Sequence, residues 1–190
     1  MRHFGCLGPT CPLEKTGNWG VGMDCDLVAQ AQAVLDVCRS RKLTIATAES
    51  CTGGLLAATL TDIPGSSEVF DRGFVTYSNA AKEVMLGVPS EVLARHGAVS
   101  RATAEAMVAG TLANSGVHLA VSITGIAGPG GGLPDKPVGI VHFAATSDRG
   151  QSMHQECRFG DIGRSQVRRA SVIVALRMLL ELAQDTTMTP

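Results

Sequence analysis

Residues 43–60 constrain the fold more than any other stretch of the chain. Leu43-Thr44-Ile45-Ala46-Thr47-Ala48 alternates as a short strand does, and runs directly into Glu49-Ser50-Cys51-Thr52-Gly53-Gly54. Leu55 to about Leu60 then has helical character. A strand that ends in a polar, glycine-containing turn and continues as a helix is the repeating step of α/β folds. Such folds bind ligands outside the carboxyl ends of their strands. The turn at 49–54 is therefore the first place to look for chemistry.

The rest of the chain continues the alternation. Asp24 or Asp26 is placed to cap a helix running to about Arg41, with Leu27, Ala31, Val34, Leu35 and Cys38 as its apolar stripe. Phe70 to Tyr77 reads as a strand, Asn79 to Leu86 as a helix, and a short helix follows Pro89. Ser100 can cap a longer helix to about Ser115. His118 to Thr124 is apolar enough to lie at the centre of a sheet. Val138–Ala145 and Met153–Phe159, joined across Asp148-Arg149-Gly150, read as an antiparallel hairpin. A last helix spans about Ile162 to Leu182, with Val167, Ala170, Val174, Leu176 and Leu180 as its apolar face. This pattern predicts an α/β chain, a three-layer α/β/α sandwich on a mixed sheet. Residues 1–22 are rich in Gly and Pro and read as an irregular extension, 23–184 as the compact domain, and 185–190 as a frayed tail. Met23 is a second candidate start.

Composition excludes several function classes. The 190 residues carry a formal net charge of −1, with no run of Lys or Arg interleaved with aromatics, so a nucleic-acid partner has no electrostatic footprint. No apolar run is long enough to span a bilayer, and no secretory h-region opens the chain. The six cysteines form neither a C-x-x-C pair nor a zinc-type cluster. Free thiols in a reducing cytoplasm, with no metal and no cofactor, are the expectation. Base rates for small soluble enzymes add a homodimer.

Three segments can carry chemistry. In the first, the backbone N–H groups of Cys51, Thr52, Gly53 and Gly54 would lie free at the start of a helix and could hold an oxyanion. The plainer reading of Ser50 is a helix N-cap. Cys51 is a rival nucleophile in the same turn, and Glu49 could orient the turn, contact a ribose hydroxyl or sit on the surface. In the second, Lys82 is either a solvated helix lysine or a buried base. Tyr77, the one tyrosine, could stack on a cationic ring or fill the core, while Asn79 and Ser100 offer polar groups nearby. In the third, Gly125 to Gly132 could present N–H groups to a phosphate, with Thr124 and Gly125 nearest the strand end. It lacks the Gly-Lys-Ser/Thr of a nucleotide-binding P-loop. Arg164 and Arg168, one turn apart, could each meet the phosphate or form a solvated basic face.

Together these segments resemble the CinA C-terminal-domain family. The match lies in Thr47-Ala48-Glu49-Ser50-Cys51-Thr52-Gly53-Gly54, Tyr77-Ser78-Asn79-Ala80-Ala81-Lys82, His96-Gly97-Ala98-Val99-Ser100 and Thr124-Gly125-Ile126-Ala127-Gly128-Pro129-Gly130-Gly131-Gly132. Lys136-Pro137-Val138-Gly139 follows, and the resemblance extends over roughly residues 26 to 184. It implies a nicotinamide-nucleotide amidohydrolase, converting nicotinamide mononucleotide to nicotinic acid mononucleotide and ammonia, with Ser50 as nucleophile and Lys82 as its base. The family name leaves open a non-catalytic mononucleotide-binding module linked to competence or DNA damage.

Overall fold

The computed structural model describes residues 25–186. The expected extension over 1–22 and residues 187–190 of the tail lie outside the described residues. The elements are α1 (Cys25–Ser40), β1 (Ile45–Glu49), α2 (Leu55–Thr61), β2 (Phe70–Val75), α3 (Asn79–Leu86), α4 (Ser90–His96), α5 (Arg101–Ser115), β3 (Leu119–Gly125), β4 (Ile140–Ser147), β5 (Ser152–Arg158) and α6 (Arg164–Asp185).

The sheet order is β2-β1-β3-β4-β5. β1 runs parallel to both β2 and β3, while β4 runs antiparallel to its two neighbours, β3 and β5. The sheet is therefore mixed, as expected from crossover helices followed by a hairpin. Every residue of β1 is buried, and so are the first six of β3. Two central strands covered on both faces need this near-continuous run of small and apolar residues. Helices α1, α2 and α6 pack on one face; α5 covers the other, flanked by α3 and α4. The outcome is the three-layer α/β/α sandwich.

The main core lies between α1, α6 and the sheet. Leu27, Ala31, Val34, Leu35 and Cys38 all point into it, so the stripe read from α1 is the buried one. On α6 the buried set is different: Val167, Ser171, Val172, Ala175, Leu176, Met178, Leu179, Leu182 and Ala183. Ala170, Val174 and Leu180 are only half-buried. Helix α6 is held between α1 and strands β3 and β4, so it buries a broad arc, and a helix apolar over much of its girth gives no sharp phase. It also runs to Asp185, and Thr186 is buried, its Oγ1 donating to Leu182 O at 2.7 Å. No helix among the described residues is long and apolar enough to cross a membrane.

Candidate active site

The carboxyl ends of β1 and β3 lie side by side, with Glu49 opposite Ile123 and the N–H of Ser50 donating to Ile123 O at 2.9 Å. Beyond them lies a cavity of about 250 Å³, lined by Ser50, Cys51, Tyr77, Thr124, Gly125, Arg164 and by backbone-rich segments at 98–99 and 126–131. All three sequence segments thus meet at one place, which the chain order alone does not reveal.

Ser50 does not cap α2. That helix begins at Leu55 behind a left-handed Gly54, whose φ of 91° suits a residue without Cβ. The cap comes from Glu49, one residue earlier. Its fully buried carboxylate accepts from Gly54 N and Leu56 N at 3.0 Å each, and from Ala57 N at 2.8 Å. A carboxylate at a helix N-terminus satisfies orphan N–H groups and meets the positive end of the helix dipole. Glu49 is thereby an orienter of the turn rather than a ribose contact or a surface group. Glu49→Ala would leave these donors unpaired inside the protein. It is expected to lower unfolding free energy by about 2–4 kcal/mol, measured by urea titration. A loss below about 1 kcal/mol would mean that water replaces the carboxylate.

The expected oxyanion donors are corrected by the same network. Gly53 N donates to Ser50 O at 3.1 Å and Gly54 N to Glu49, so neither glycine offers a free N–H. The N–H groups of Cys51 and Thr52 make no backbone hydrogen bond to another described residue, and that of Cys51 meets only its own thiol.

Lys82 is the site's most unusual residue. It is wholly buried, at 0% exposure, on the inner face of α3. Its Nζ donates to Ser50 Oγ at 3.0 Å and to Thr76 O at 2.8 Å. No carboxylate pairs with it among the described residues. Burial pushes its pKa below the ordinary lysine value, with Cys51 opposing the shift. The solvated helix lysine is thus the wrong reading. Cys51 lines the same cavity at 5% exposure, and burial pushes its thiol up to about 12, far from the thiolate that would make it reactive.

The remaining residues sort by position. Tyr77 is 60% exposed at the mouth of the cavity, with its Oη accepting from Arg164 Nη2 at 3.0 Å. Arg164 Nη1 also donates to Gly128 O at 3.0 Å, tying the last helix to the glycine-rich loop. Thr124 is buried, and its Oγ1 donates to Ala98 O at 2.6 Å. Arg168 lies off the cavity lining: its Nε and Nη2 donate to Thr52 O at 3.2 and 2.7 Å. The two arginines, equivalent in sequence, therefore have different tasks. Ser100 caps α5 by accepting from Thr103 N at 3.2 Å, and Asn79 is exposed in the first turn of α3; neither lines the cavity. Ala98, Val99 and the carbonyl of Thr76 were not singled out from sequence. The first two lie inside the His96–Ser100 motif, which pointed at them. A backbone acceptor such as Thr76 O leaves no side-chain signal.

Known proteins share this arrangement of sequence and fold. The chain is 48% identical over 157 residues to the nicotinamide-nucleotide amidohydrolase PncC of Escherichia coli K12, covering 82% of this chain and 94% of that protein. It is also 48% identical over 168 residues to a putative competence-damage inducible protein of Caldicellulosiruptor bescii, covering 87% of this chain but 39% of that longer protein. Among solved structures, the competence/damage inducible protein CihA of Agrobacterium tumefaciens superposes with a TM-score of 0.83 at 52% identity, over 84% of this chain and 96% of that one. ComA of Klebsiella pneumoniae gives 0.80 at 36% identity, over 85% and 99%. The profile of the CinA C-terminal domain matches residues 28–183. With that profile spanning nearly every described element, the chain belongs to the CinA C-terminal-domain family.

Proposed function

We propose that this chain is an amidohydrolase that converts nicotinamide mononucleotide to nicotinic acid mononucleotide and ammonia, using Ser50 and Lys82. The observation that carries the reading is the wholly buried Lys82 Nζ at 3.0 Å from Ser50 Oγ, with a carbonyl as its other partner. An amine held this way is driven toward its neutral form, and a neutral amine can take a hydroxyl proton.

In this scheme Ser50 Oγ attacks the carboxamide carbon as its proton passes to Lys82 Nζ. The carbonyl oxygen becomes the oxyanion, held by the N–H groups of Cys51 and Thr52. Lys82 returns the proton to the nitrogen, the C–N bond breaks and ammonia leaves. Water then attacks the acyl-Ser50 ester with Lys82 again as base, releasing the carboxylate product and restoring both side chains. Every proton is accounted for by one amine, so the scheme needs no metal ion. Arg164 at the cavity mouth suits the 5′-phosphate, and Tyr77 beside it suits the cationic pyridinium ring. The reading includes a cytoplasmic location and a homodimer, the commonest state for small soluble enzymes.

Ammonia release from nicotinamide mononucleotide tests the reading. The wild-type chain should release it, and Ser50→Ala should reduce the rate by on the order of 10³-fold or more while keeping its melting temperature. Cys51→Ala should keep most of the activity. If the wild type binds the nucleotide without hydrolysing it, the binding-module reading takes its place. If Cys51→Ala rather than Ser50→Ala is inert, the nucleophile is misassigned.

A further inference from the structure

The turn bearing Ser50 is held from two sides. Glu49 fixes its helix end through three backbone N–H groups. The other hold comes from α6, whose Arg168 presents two N–H donors to a single carbonyl oxygen, Thr52 O, 116 residues away in sequence. The peptide unit between Thr52 and Gly53 is thereby pinned at both ends. Its carbonyl accepts from Leu55 N at 3.2 Å within the turn and from Arg168 across the fold, and its N–H donates to Ser50 O at 3.1 Å. Pinning this unit fixes ψ of Thr52 and so the path of the chain immediately after the serine. The two N–H groups that make no backbone bond to another described residue, those of Cys51 and Thr52, lie just upstream of the pinned unit.

We infer that Arg168 is a positioning residue for the Ser50 turn, setting the orientation of the Cys51 and Thr52 N–H groups without touching substrate. The inference rests on the Ser50–Lys82 reading above, but not on any particular amide as substrate. Arg168 is half-buried, and neither its guanidinium nor Thr52 is part of the cavity lining, whereas Arg164 is. A Cβ on Gly53 would come within 3.7 Å of Arg168 Nη2, so the guanidinium lies close over the turn it holds. A lysine could reach Thr52 O with one donor but could not fork onto it, so charge alone does not replace this residue. Oxyanion donors act only when aimed at the position the oxyanion will occupy, and a misplacement of about 1 Å costs on the order of 10²-fold in rate.

The test uses an uncharged alkyl fluorophosphonate on the purified full chain. In its reaction Ser50 Oγ bonds to phosphorus, fluoride leaves, and the hydroxyl proton goes to Lys82. The phosphoryl oxygen then takes the place of the oxyanion. Arg168→Met is expected to lower the maximal labelling rate about 10- to 100-fold, with the half-saturating probe concentration unchanged and the melting temperature within a few degrees of wild type. Arg168→Lys should recover only part of the rate. Labelling of Arg168→Met at the wild-type rate would overturn the inference. So would a rise in half-saturation that accounts for the whole effect, because that is what general loosening or direct ligand contact produces. A wild type that labels but releases no ammonia from the nucleotide removes the substrate assignment alone. A wild type that does not label removes the activated serine and this inference with it.

Discussion

Lys82→Met is expected to abolish amide hydrolysis and, at the same time, to make the protein more stable. The loss of rate should be on the order of 10³-fold or more, because one amine serves as both base and acid in the proposed cycle. The gain in stability follows from the burial of an amine that has hydrogen-bond acceptors but no carboxylate to balance its charge. In the folded state its pKa lies below the ordinary lysine value, while in the unfolded chain it returns to about 10.4. Unfolding therefore takes up a proton at every pH between the two. The folded state carries the full penalty below the folded pKa and loses it as pH rises through the unfolded value, so stability from this group increases with pH across that window. Methionine has similar length and no charge, and should remove both the penalty and the slope. A gain of about 1 kcal/mol would raise the melting temperature by about 2–4 °C for a chain of this size. Thermal unfolding of wild type and variant from neutral to alkaline pH gives the comparison. The two curves should converge as pH rises; parallel curves, or a less stable variant, would show that the amine is not held neutral.

Gly110→Ala should be strongly destabilising. A Cβ built on Gly110 of α5 would stand 1.9 Å from the carbonyl oxygen of Leu86 and 2.8 Å from its carbon. No rotamer relieves a contact between a Cβ and a backbone carbonyl, so α3 and α5 must move apart. The destabilisation should be about 3 kcal/mol, near the top of the usual range for overpacking. Leu86 is one helical turn beyond Lys82, so the same displacement should move Nζ away from Ser50 Oγ and slow whatever folded protein remains by on the order of 10²-fold. Gly130→Ala supplies the control, since a Cβ there meets nothing within 4 Å. Equal melting temperatures for the two variants would show that α3 yields freely to α5, against the close packing the structure displays.

Much of this architecture could be read from the sequence because its signals are local. The stripe Leu27, Ala31, Val34, Leu35 and Cys38 is a period of helical spacing, and it is the buried face of α1. Ser100 caps α5 where its residue type and its place before the helix suggest. Burial of Lys82 was not legible, because lysine on an amphipathic helix is ordinarily solvated and only the docking of α3 on α5 decides otherwise. Glu49 was ambiguous for a related reason. Its partners are backbone N–H groups five to eight residues later, and no side chain marks them. Arg164 and Arg168 look alike along the chain. They separate only when α6 crosses the end of the sheet, where one meets Tyr77 and the other Thr52. Resemblance named the residues of the turn, and geometry assigned them different work.

The long reach from α6 back to Thr52 has a consequence for how the protein comes into being. A ribosome delivers the chain from its amino end, so Ser50 emerges well before the helix that carries Arg168, 116 residues further on than Thr52. Until that helix docks, the serine turn lacks one of its two holds. A nascent chain, or one cut within α6, would display the serine without its finished surroundings. Chemical competence of Ser50 is then a late event in maturation, coincident with completion of the α1–α6 layer, and its appearance marks the moment when the two ends of the domain have met.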